Sequence, residues 1–197
     1  MRSSSFRAGG AAPRARSVDA AHQKHLSIYL QDHFAGATAG ADLACRAAGS
    51  NPDGQGYGAP LRELADEIDE DRDSLRSLMD WLHVRPDRVK QLAAWTGEKA
   101  GRLKLNGHLF SYSPLSRLEE LELLALGVTG KRALWQTLHL LAHQEPRLST
   151  PELERLISRA DQQLEKIEAC RRNAVGDALS PEWTVESPST GVTHPRS

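Results

Sequence analysis

The stretch LRELADEIDEDRDSLRSLMDWL, residues 61–82, decides the fold that we expect for this chain. A set of its positions recurs at alternating steps of three and four, the spacing of the inward face of a helix packed among other helices. They are Leu61, Leu64, Ile68, Asp71, Leu75, Leu78 and Leu82. One of them is a carboxylate, so the pattern that predicts a helical bundle also predicts a buried charge at Asp71.

The composition indicates one globular domain without a nucleic-acid or membrane role. The chain has 197 residues, a formal net charge of -1 and 5% aromatic residues, so it lacks the basic surplus and stacking platforms of nucleic-acid binding. Its apolar runs are too short for a membrane span and its N-terminus lacks a secretory signal, which predicts a cytoplasmic protein. Cys45 and Cys170 lie far apart, which argues against a disulfide framework or a zinc site.

The two ends of the chain differ from its middle. Residues 1–20 and 180–197 contain few large apolar side chains, and we therefore expect them to be disordered tails. Residues 21–179 are expected to form the helical bundle domain.

The first helix is predicted from Ala21 to Ala48, and its middle, residues 36–41, is rich in glycine and alanine. Glycine weakens a helix, and close approach of another helix is the favoured reason for this patch, with room for a ligand as the alternative. His33 lies on the inward face of this helix. Because His33 and Asp71 are at similar distances from the loop at residues 49–60, we expect them at one level of the bundle.

The later part of the chain predicts two more long helices. The connection from Leu82 to Pro114 is long enough to cross a bundle, and it carries the pattern of a short extra helix within residues 87–107. The third helix is predicted to begin at Ser113-Pro114. The fourth is predicted to begin with Thr150 as its cap and Pro151 in its first turn, and to end near Leu179.

Several segments together resemble a known family. They are YLQDHFAGATAGADLA (29–44), ADEIDEDRDSLRSLM (65–79), AWTGEKAGRLKLNG (94–107), LEELELLALGVTGKRALW (118–135) and RADQQLEKIEACRRNAV (159–175). The chain resembles, in these segments, a group of small, uncharacterised bacterial proteins with a ferritin-like four-helix bundle. The resemblance implies an all-α fold with a long crossover between helices two and three. It implies no activity, since ferritin-like describes a fold.

Two interpretations of the inward polar residues stay open. The favoured one is a buried polar network of His33, Asp71, Glu122, Lys131 and Arg171, in which His33 pairs with Asp71 and a cation balances the charge. The alternative is an iron or manganese site formed by His33, Glu67, Asp71 and Glu122. No long helix carries the Glu-x-x-His motif of ferritin-like diiron enzymes, and the spacing of His139 and His143 is assigned to surface histidines instead of ligands.

Three functions follow from these interpretations. The leading one is a non-enzymatic bundle that acts as an interaction or stress-associated module, with an unidentified protein or a second copy of itself as partner. The second is a divergent metal-binding oxidoreductase that uses iron or manganese. The third is a bundle that binds a small molecule over the patch at residues 36–41. The tryptophans Trp81, Trp95 and Trp135 are expected to pack in the core.

Overall fold

The structure is a computed structural model that describes residues 13–52, 56–85 and 112–180, with side chains described from residue 21 onward. These residues form four helices, α1 (Pro13–Ser50), α2 (Gly58–Trp81), α3 (Pro114–Leu141) and α4 (Thr150–Leu179). The regular structure of the described residues is entirely helical, which confirms the predicted all-α class. None of these four helices combines the length and the apolar character needed to cross a bilayer.

Helix α1 begins at Pro13 and not at Ala21. Residues 13–20, which the sequence analysis assigned to the N-terminal tail, are therefore part of this helix. Proline suits the first turn of a helix, and the alanine and arginine residues that follow it are good helix formers. Residues 1–12 and 181–197, and the predicted extra helix within residues 87–107, lie outside the described residues.

Helices α3 and α4 each begin one residue after a serine in the N-cap position. The Ser113 hydroxyl accepts a hydrogen bond from the Ser116 amide over 3.1 Å, which confirms the predicted start of α3. Helix α4 has Ser149 in the cap position, one residue before the predicted cap Thr150, and it ends at Leu179 as predicted.

Two apolar clusters fill the interior, one toward each end of the bundle. The first contains Ala44 and Ala47 of α1, Leu61 and Leu64 of α2, Leu118 and Leu121 of α3, and Ile167 and Ala174 of α4. The second contains Leu30 and Phe34 of α1, Leu75 and Met79 of α2, Leu134 and Trp135 of α3, and Leu153 and Leu156 of α4. Helices α1 and α4 run from the second cluster to the first, and α2 and α3 run in the opposite direction.

The helices pack as a ring in which α1 contacts α2 and α3, and α4 contacts α2 and α3. Every neighbouring pair is therefore antiparallel. Helix α2 ends in the second cluster, whereas α3 begins in the first. The region where the two clusters meet lies near Asp71 and Lys131, and one of the two groups of buried polar residues lies there.

The inward face of α2 follows the predicted pattern over most of its length. Leu61, Leu64, Ile68, Asp71 and Leu75 are buried. Near the end of the helix, Met79 is buried in place of Leu78, as expected when a pattern of alternating steps drifts around a helix with 3.6 residues per turn. Trp81 is 71% exposed, so the prediction that it packs in the core is wrong.

Candidate functional site

Asp71 lies at the centre of the bundle with only 1% of its surface exposed. One of its carboxylate oxygens accepts hydrogen bonds from the Lys131 ammonium and, over 3.0 Å, from the Gln163 amide. The other oxygen accepts from the Arg159 guanidinium. A buried carboxylate needs such partners because desolvation otherwise favours its neutral form.

Gln163 fixes the arrangement of the two charged groups. It is fully buried, and its carbonyl oxygen accepts from the Lys131 ammonium over 2.6 Å while its amide donates to Asp71. Arg159 also donates to Glu70 over 2.7 Å, at the edge of the bundle. The network thus joins α2, α3 and α4 through charge-assisted hydrogen bonds, which are stronger than neutral ones.

The sequence-predicted members of this network are only partly brought together. Lys131 balances the charge of Asp71, while Arg171 pairs with Glu168 over 2.7 Å and lies 4.0 Å from Glu122. The side chain of Glu122 is 54% exposed, so this pair lies at the surface. His33 lines the same cavity as Asp71, but among the described residues no hydrogen bond joins them.

The four residues of the alternative metal interpretation, His33, Glu67, Asp71 and Glu122, do not converge either. Glu67 accepts from Lys166 over 2.7 Å, and both oxygens of Asp71 are held by Lys131 and Arg159. Within residues 21–52, 56–85 and 112–180, no group of three or more histidine, cysteine or carboxylate side chains is arranged to hold a metal ion.

A cavity of about 370 Å³ lies beside this network, between α1 and α3. Asp71 and Lys131 line it, and so do His33, Trp135 and several leucines. Residues of α1, α2 and α3 form its walls, and Asp32, Gly36 and Leu126 of its lining are exposed, so it opens to solvent on the α1–α3 side. Its volume falls within the range of about 300–1,000 Å³ that is usual for small-molecule sites. We call it the glycine cavity.

Four helix glycines give the glycine cavity its name. Gly36 and Gly40 of α1 line it, as do Gly127 and Gly130 of α3. A Cβ atom built at any of the four would meet nothing within 4 Å outside its own helix. The glycine patch of α1 therefore does not serve the tight helix packing that the sequence favoured. It leaves space, which was the alternative.

Trp135, a residue of the cavity lining, carries a buried hydrogen-bond donor that the described part of the chain leaves without a partner. Trp135 is fully buried, and its indole Nε1 has no hydrogen-bond acceptor among the described residues. Buried donors of this kind are rare in native proteins, because an unmade hydrogen bond is costly. The sequence indicated that Trp135 is buried but held no signal that its N–H lacks an acceptor.

Burial changes the acid–base properties of two residues that line the cavity. Desolvation lowers the pKa of His33, although the nearby Asp32 carboxylate acts in the opposite direction. Desolvation also lowers the pKa of Lys131, opposed by the charge of Asp71. His33 packs edge-on against Tyr29, with the ring centroids 4.5 Å apart.

A second polar cluster lies at the end of the bundle where α1 and α4 finish. Arg117 donates to Asn51 over 2.5 Å and to Asp177 over 3.0 Å, and its guanidinium stacks on Tyr57. The Tyr57 hydroxyl donates to Asp177 over 2.8 Å. Burial, together with the neighbouring Asp177, raises the pKa of Tyr57 to about 12. This cluster, which we call the end clamp, holds all four helices together, and its polar groups satisfy one another.

The sequence interpretation missed three of the residues that matter most here. The predicted polar network did not include Arg159 or Gln163, and Asn51 was assigned to the loop at residues 49–60. Asn51 is fully buried because its amide caps the end of α1, donating to the Ala47 carbonyl over 2.7 Å. The sequence around Arg159 and Gln163 contains no feature that distinguishes this arginine from one at the protein surface.

Comparisons with models of protein families, with curated proteins and with solved structures found no match to this chain. The function is therefore argued from the glycine cavity and the polar network beside it.

Proposed function

We propose that this protein binds a small, mainly apolar molecule in the glycine cavity. The observation that carries the proposal is the pair of glycine positions on each of the two helices that form the cavity. Each glycine costs a helix roughly 0.5–1 kcal/mol relative to alanine. This loss of helix stability occurs at four positions where a methyl group would meet no neighbour. A ligand that occupies the space would explain why glycine stands at all four positions.

The chemistry of the walls supports the same proposal. Leu43, Ile68 and Leu75 line the cavity, together with Val128 and Leu134, so most of its surface is hydrocarbon. The charged and imidazole side chains of the lining are those of Asp32, His33, Asp71 and Lys131. Apolar walls with a small number of placed polar groups are typical of small-molecule sites.

Calorimetric titration with decanol, an apolar probe, tests the proposal. Decanol is expected to bind the wild-type chain with a stoichiometry of one and to raise its melting temperature, because a ligand that binds only the folded state stabilises it. Gly40→Leu places a side chain in the cavity and is expected to weaken binding at least tenfold.

Gly49→Leu is the matched control, since Gly49 lies in the same helix, also has nothing within 4 Å of its Cβ position and does not line the cavity. It is expected to bind decanol as the wild type does. Equal affinity of the wild type and Gly40→Leu would contradict the proposal. Failure of decanol to bind, combined with a loss of stability in Gly40→Leu, would mean that the chain itself occupies the space.

A second candidate function is association through the outer face of α3. Leu115, Leu126 and Leu140 are separated by about three and four helical turns, so they lie on one face. They are 44%, 70% and 71% exposed. A row of exposed leucines on one helix is the feature expected of an interface with a second copy of this chain. Light scattering of the wild type and of Leu126→Glu tests it, with a dimer expected only for the wild type.

The ferritin-like connection is also a proposal. Its support is that α2 and α3 run in the same direction, as helices do when one long crossover joins them. An experimental structure that traces residues 86–111 tests it.

A further inference from the structure

We infer that the glycine cavity takes a long-chain amine, with its ammonium group beside Asp32 and its hydrocarbon chain along the cavity toward Leu43. This inference rests on the proposed function and specifies the shape and the charge of the ligand. It is carried by the register of α1 and α3, by the dimensions of the cavity and by the charges of its lining.

The register of α1 and α3 follows from two side-chain contacts. The Tyr29 hydroxyl donates to Thr137 over 3.3 Å, and the Arg46 guanidinium donates to Glu120 over 3.2 Å. Residue numbers rise by 17 between these contacts on α1 and fall by 17 on α3. The two antiparallel helices therefore keep one register over this length, and any residue of α1 can be matched with the residue of α3 at its level.

The glycine cavity lies between these two contacts and is elongated. On α1 its lining extends from Asp32 to Leu43, and the register places these residues level with Leu134 and Leu123 of α3, which also line it. A helix rises about 17 Å from residue 32 to residue 43, at about 1.5 Å per residue. A volume of about 370 Å³ over that length corresponds to a mean cross-section of about 22 Å². The cavity is therefore a narrow slot parallel to the two helices.

A slot of this width favours a single hydrocarbon chain. Its mean width is about 5 Å, and carbon atoms in contact lie about 3.5–4.0 Å apart, so one row of methylene groups fits. Gly36 of α1 and Gly130 of α3 stand level within the slot and place no side chain across it. A compact ring system with as many carbon atoms would be wider than the slot. The shape thus indicates an elongated, unbranched ligand.

The charges of the lining favour a cation over an anion. Asp71 faces two cations, Lys131 and Arg159, and the second of these also pairs with Glu70 over 2.7 Å, so the charges of the central network cancel. Asp32 adds a further carboxylate to the lining. Its charge is not offset by a salt bridge to any cation within residues 21–52, 56–85 and 112–180. An anionic ligand would be repelled by Asp32, and a cationic one would be attracted.

The end of the slot at Asp32 suits an ammonium group. Asp32 is exposed and His33 beside it is half-buried, so both border the opening to solvent. Desolvation lowers the pKa of His33, and the neutral imidazole does not repel a cation. The Lys131 ammonium, in contrast, donates to Asp71 and Gln163. An ammonium only donates hydrogen bonds, and a carboxylate only accepts them.

The other end of the slot suits the hydrocarbon chain. Leu43 of α1 and Leu123 of α3 stand level there, and Ile68 and Val128 also line the cavity. Burial of hydrocarbon against such walls is favourable in proportion to the apolar area removed from water. A chain that begins beside Asp32 and lies along the slot therefore brings each end of the ligand to walls of matching character.

Three probes of equal chain length test the charge of the ligand on the full chain at neutral pH: decylamine, decanol and decanoate, each used below its micelle concentration in calorimetric titrations. Decylamine is expected to bind about threefold more tightly than decanol, the effect of an exposed ion pair. Decanoate is expected to bind more weakly than decanol. High salt should reduce both differences, because it screens charges at the surface.

Asp32→Asn tests the position of the ammonium group. This variant should fold, since Asp32 is exposed, and it is expected to bind decylamine no more tightly than decanol while its affinity for decanol stays that of the wild type. Asp42→Asn is the matched control, because Asp42 is an exposed aspartate of the same helix outside the cavity lining. It should keep the preference for decylamine.

The shape of the ligand is tested with 1-aminoadamantane, which has the same head group and the same number of carbon atoms as decylamine in a compact cage. It is expected to bind at least about tenfold more weakly than decylamine, because less of its hydrocarbon can be buried in a slot of this width. Equal affinities of the two amines would overturn the inference that the ligand is a single chain.

The remaining outcomes separate this inference from the proposed function. Equal binding of decylamine and decanol by the wild type, abolished in both cases by Gly40→Leu, would overturn the assignment of an amine and leave the cavity as a binding site. A preference for decylamine that persists in Asp32→Asn would overturn the role of Asp32. Absence of binding by all the probes would overturn both proposals.

Discussion

Asp71 brings two cations from two other helices into an interior that water hardly reaches. The side chain of Asp71 is fully buried, and those of Lys131 and Arg159 are only 11% and 14% exposed. Desolvation of these charges opposes folding, and their hydrogen bonds offset that cost only while every partner is present. The network is thus more important for fixing the register of α2, α3 and α4 than for adding stability.

Loss of the central carboxylate should be severe. Asp71→Ala leaves two cations near one another without their shared counter-ion, and we expect the free energy of unfolding in urea to fall by about 3 kcal/mol or more. Asp73→Ala, which removes a carboxylate that is 69% exposed on the same helix, should cost less than about 0.5 kcal/mol. Similar unfolding curves for the two variants would show that Asp71 is not held as described.

His33 should make stability depend on pH. Its folded-state pKa lies below 6.5 because of desolvation, so near and below that pH the unfolded chain binds more protons than the folded one. The free energy of unfolding should therefore fall as the pH drops through 6.5 toward the folded-state pKa.

The comparison of wild type and His33→Gln measures this contribution. Urea unfolding at about pH 8 and about pH 5 should show a smaller loss of stability for His33→Gln than for the wild type, since histidine titrates in this interval. The same loss in both proteins would mean that the imidazole of His33 is as solvated in the folded state as in the unfolded one.

The inward direction of a single residue could be predicted from the sequence where regularly spaced apolar residues flank it in the same helix. Asp71 is bracketed by Ile68 and Leu75, and Lys131 by Val128 and Trp135, so the inward direction of both could be derived. His33 is followed by glycine and alanine at the positions that would have fixed its phase. Its pairing with Asp71 could not be derived, and it is not formed.

At the scale of the helices, α1 and α3 share an unusual property. Each presents two glycines to the space between them, although glycine is among the poorest helix formers. The stretches that follow these glycines are ordinary in comparison, with Ala44 and Ala47 of α1 and Leu134 and Leu138 of α3 fully in the core. The weakness is therefore local to the cavity.

Replacement of these glycines by alanine should stabilise the protein. Gly36→Ala and Gly130→Ala add a methyl group that meets no neighbour, and each should raise the free energy of unfolding by about 0.5–1 kcal/mol through helix propensity alone. Thermal or urea unfolding of each variant measures the effect. A loss of stability at either position would reveal an atom close to the Cβ site, contrary to the open space described above.

The inward face of helix α4 was predicted incorrectly from the sequence. Arg171 was predicted to face inward, and hydrophobicity alone would place Leu164 on the same face, whereas Gln163 and Cys170 are the buried residues. The two sets are neighbouring strips of one helix, one residue apart. Since leucine is usually buried and glutamine usually exposed, hydrophobicity favoured the wrong strip; the hydrogen bonds of Gln163 to Asp71 and Lys131 decided the actual one.

At the scale of the whole molecule, the end clamp and the central network divide the polar interior between them. The end clamp joins Asn51 after α1, Tyr57 before α2, Arg117 of α3 and Asp177 of α4. The central network joins α2, α3 and α4. The central network does not include α1, whereas the end clamp connects the α1–α2 hairpin to the α3–α4 hairpin through residues at or beside the ends of all four helices.

Arg117→Met tests the end clamp. It leaves the buried side-chain oxygen of Asn51 without its donor and removes the ion pair with Asp177, and we expect a loss of about 2–3 kcal/mol in urea unfolding. Arg46→Met, which removes an arginine 50% exposed and paired with Glu120, should change stability by less than about 0.5 kcal/mol. Equal effects of the two substitutions would contradict the role given to Arg117.

The fold class and the helix order could be derived because hydrophobic periodicity repeats over many turns and averages out local exceptions. The cavity could not be derived, because it depends on how far apart α1 and α3 lie, and glycine is compatible with both contact and separation. The sequence of residues 36–41 is therefore compatible both with close helix contact and with open space. Only the packing of the other helices distinguishes these two interpretations.

The buried indole of Trp135 gives this protein an optical probe at the place of interest. An indole that lies among hydrocarbon groups emits at shorter wavelength than one surrounded by water, and this emission responds to changes in the space beside the ring. Trp81 is exposed, and it can be replaced by phenylalanine together with Trp95 and Trp183, which leaves Trp135 as the single tryptophan. The fluorescence spectrum of the remaining tryptophan would then follow occupancy of the cavity directly, without a label.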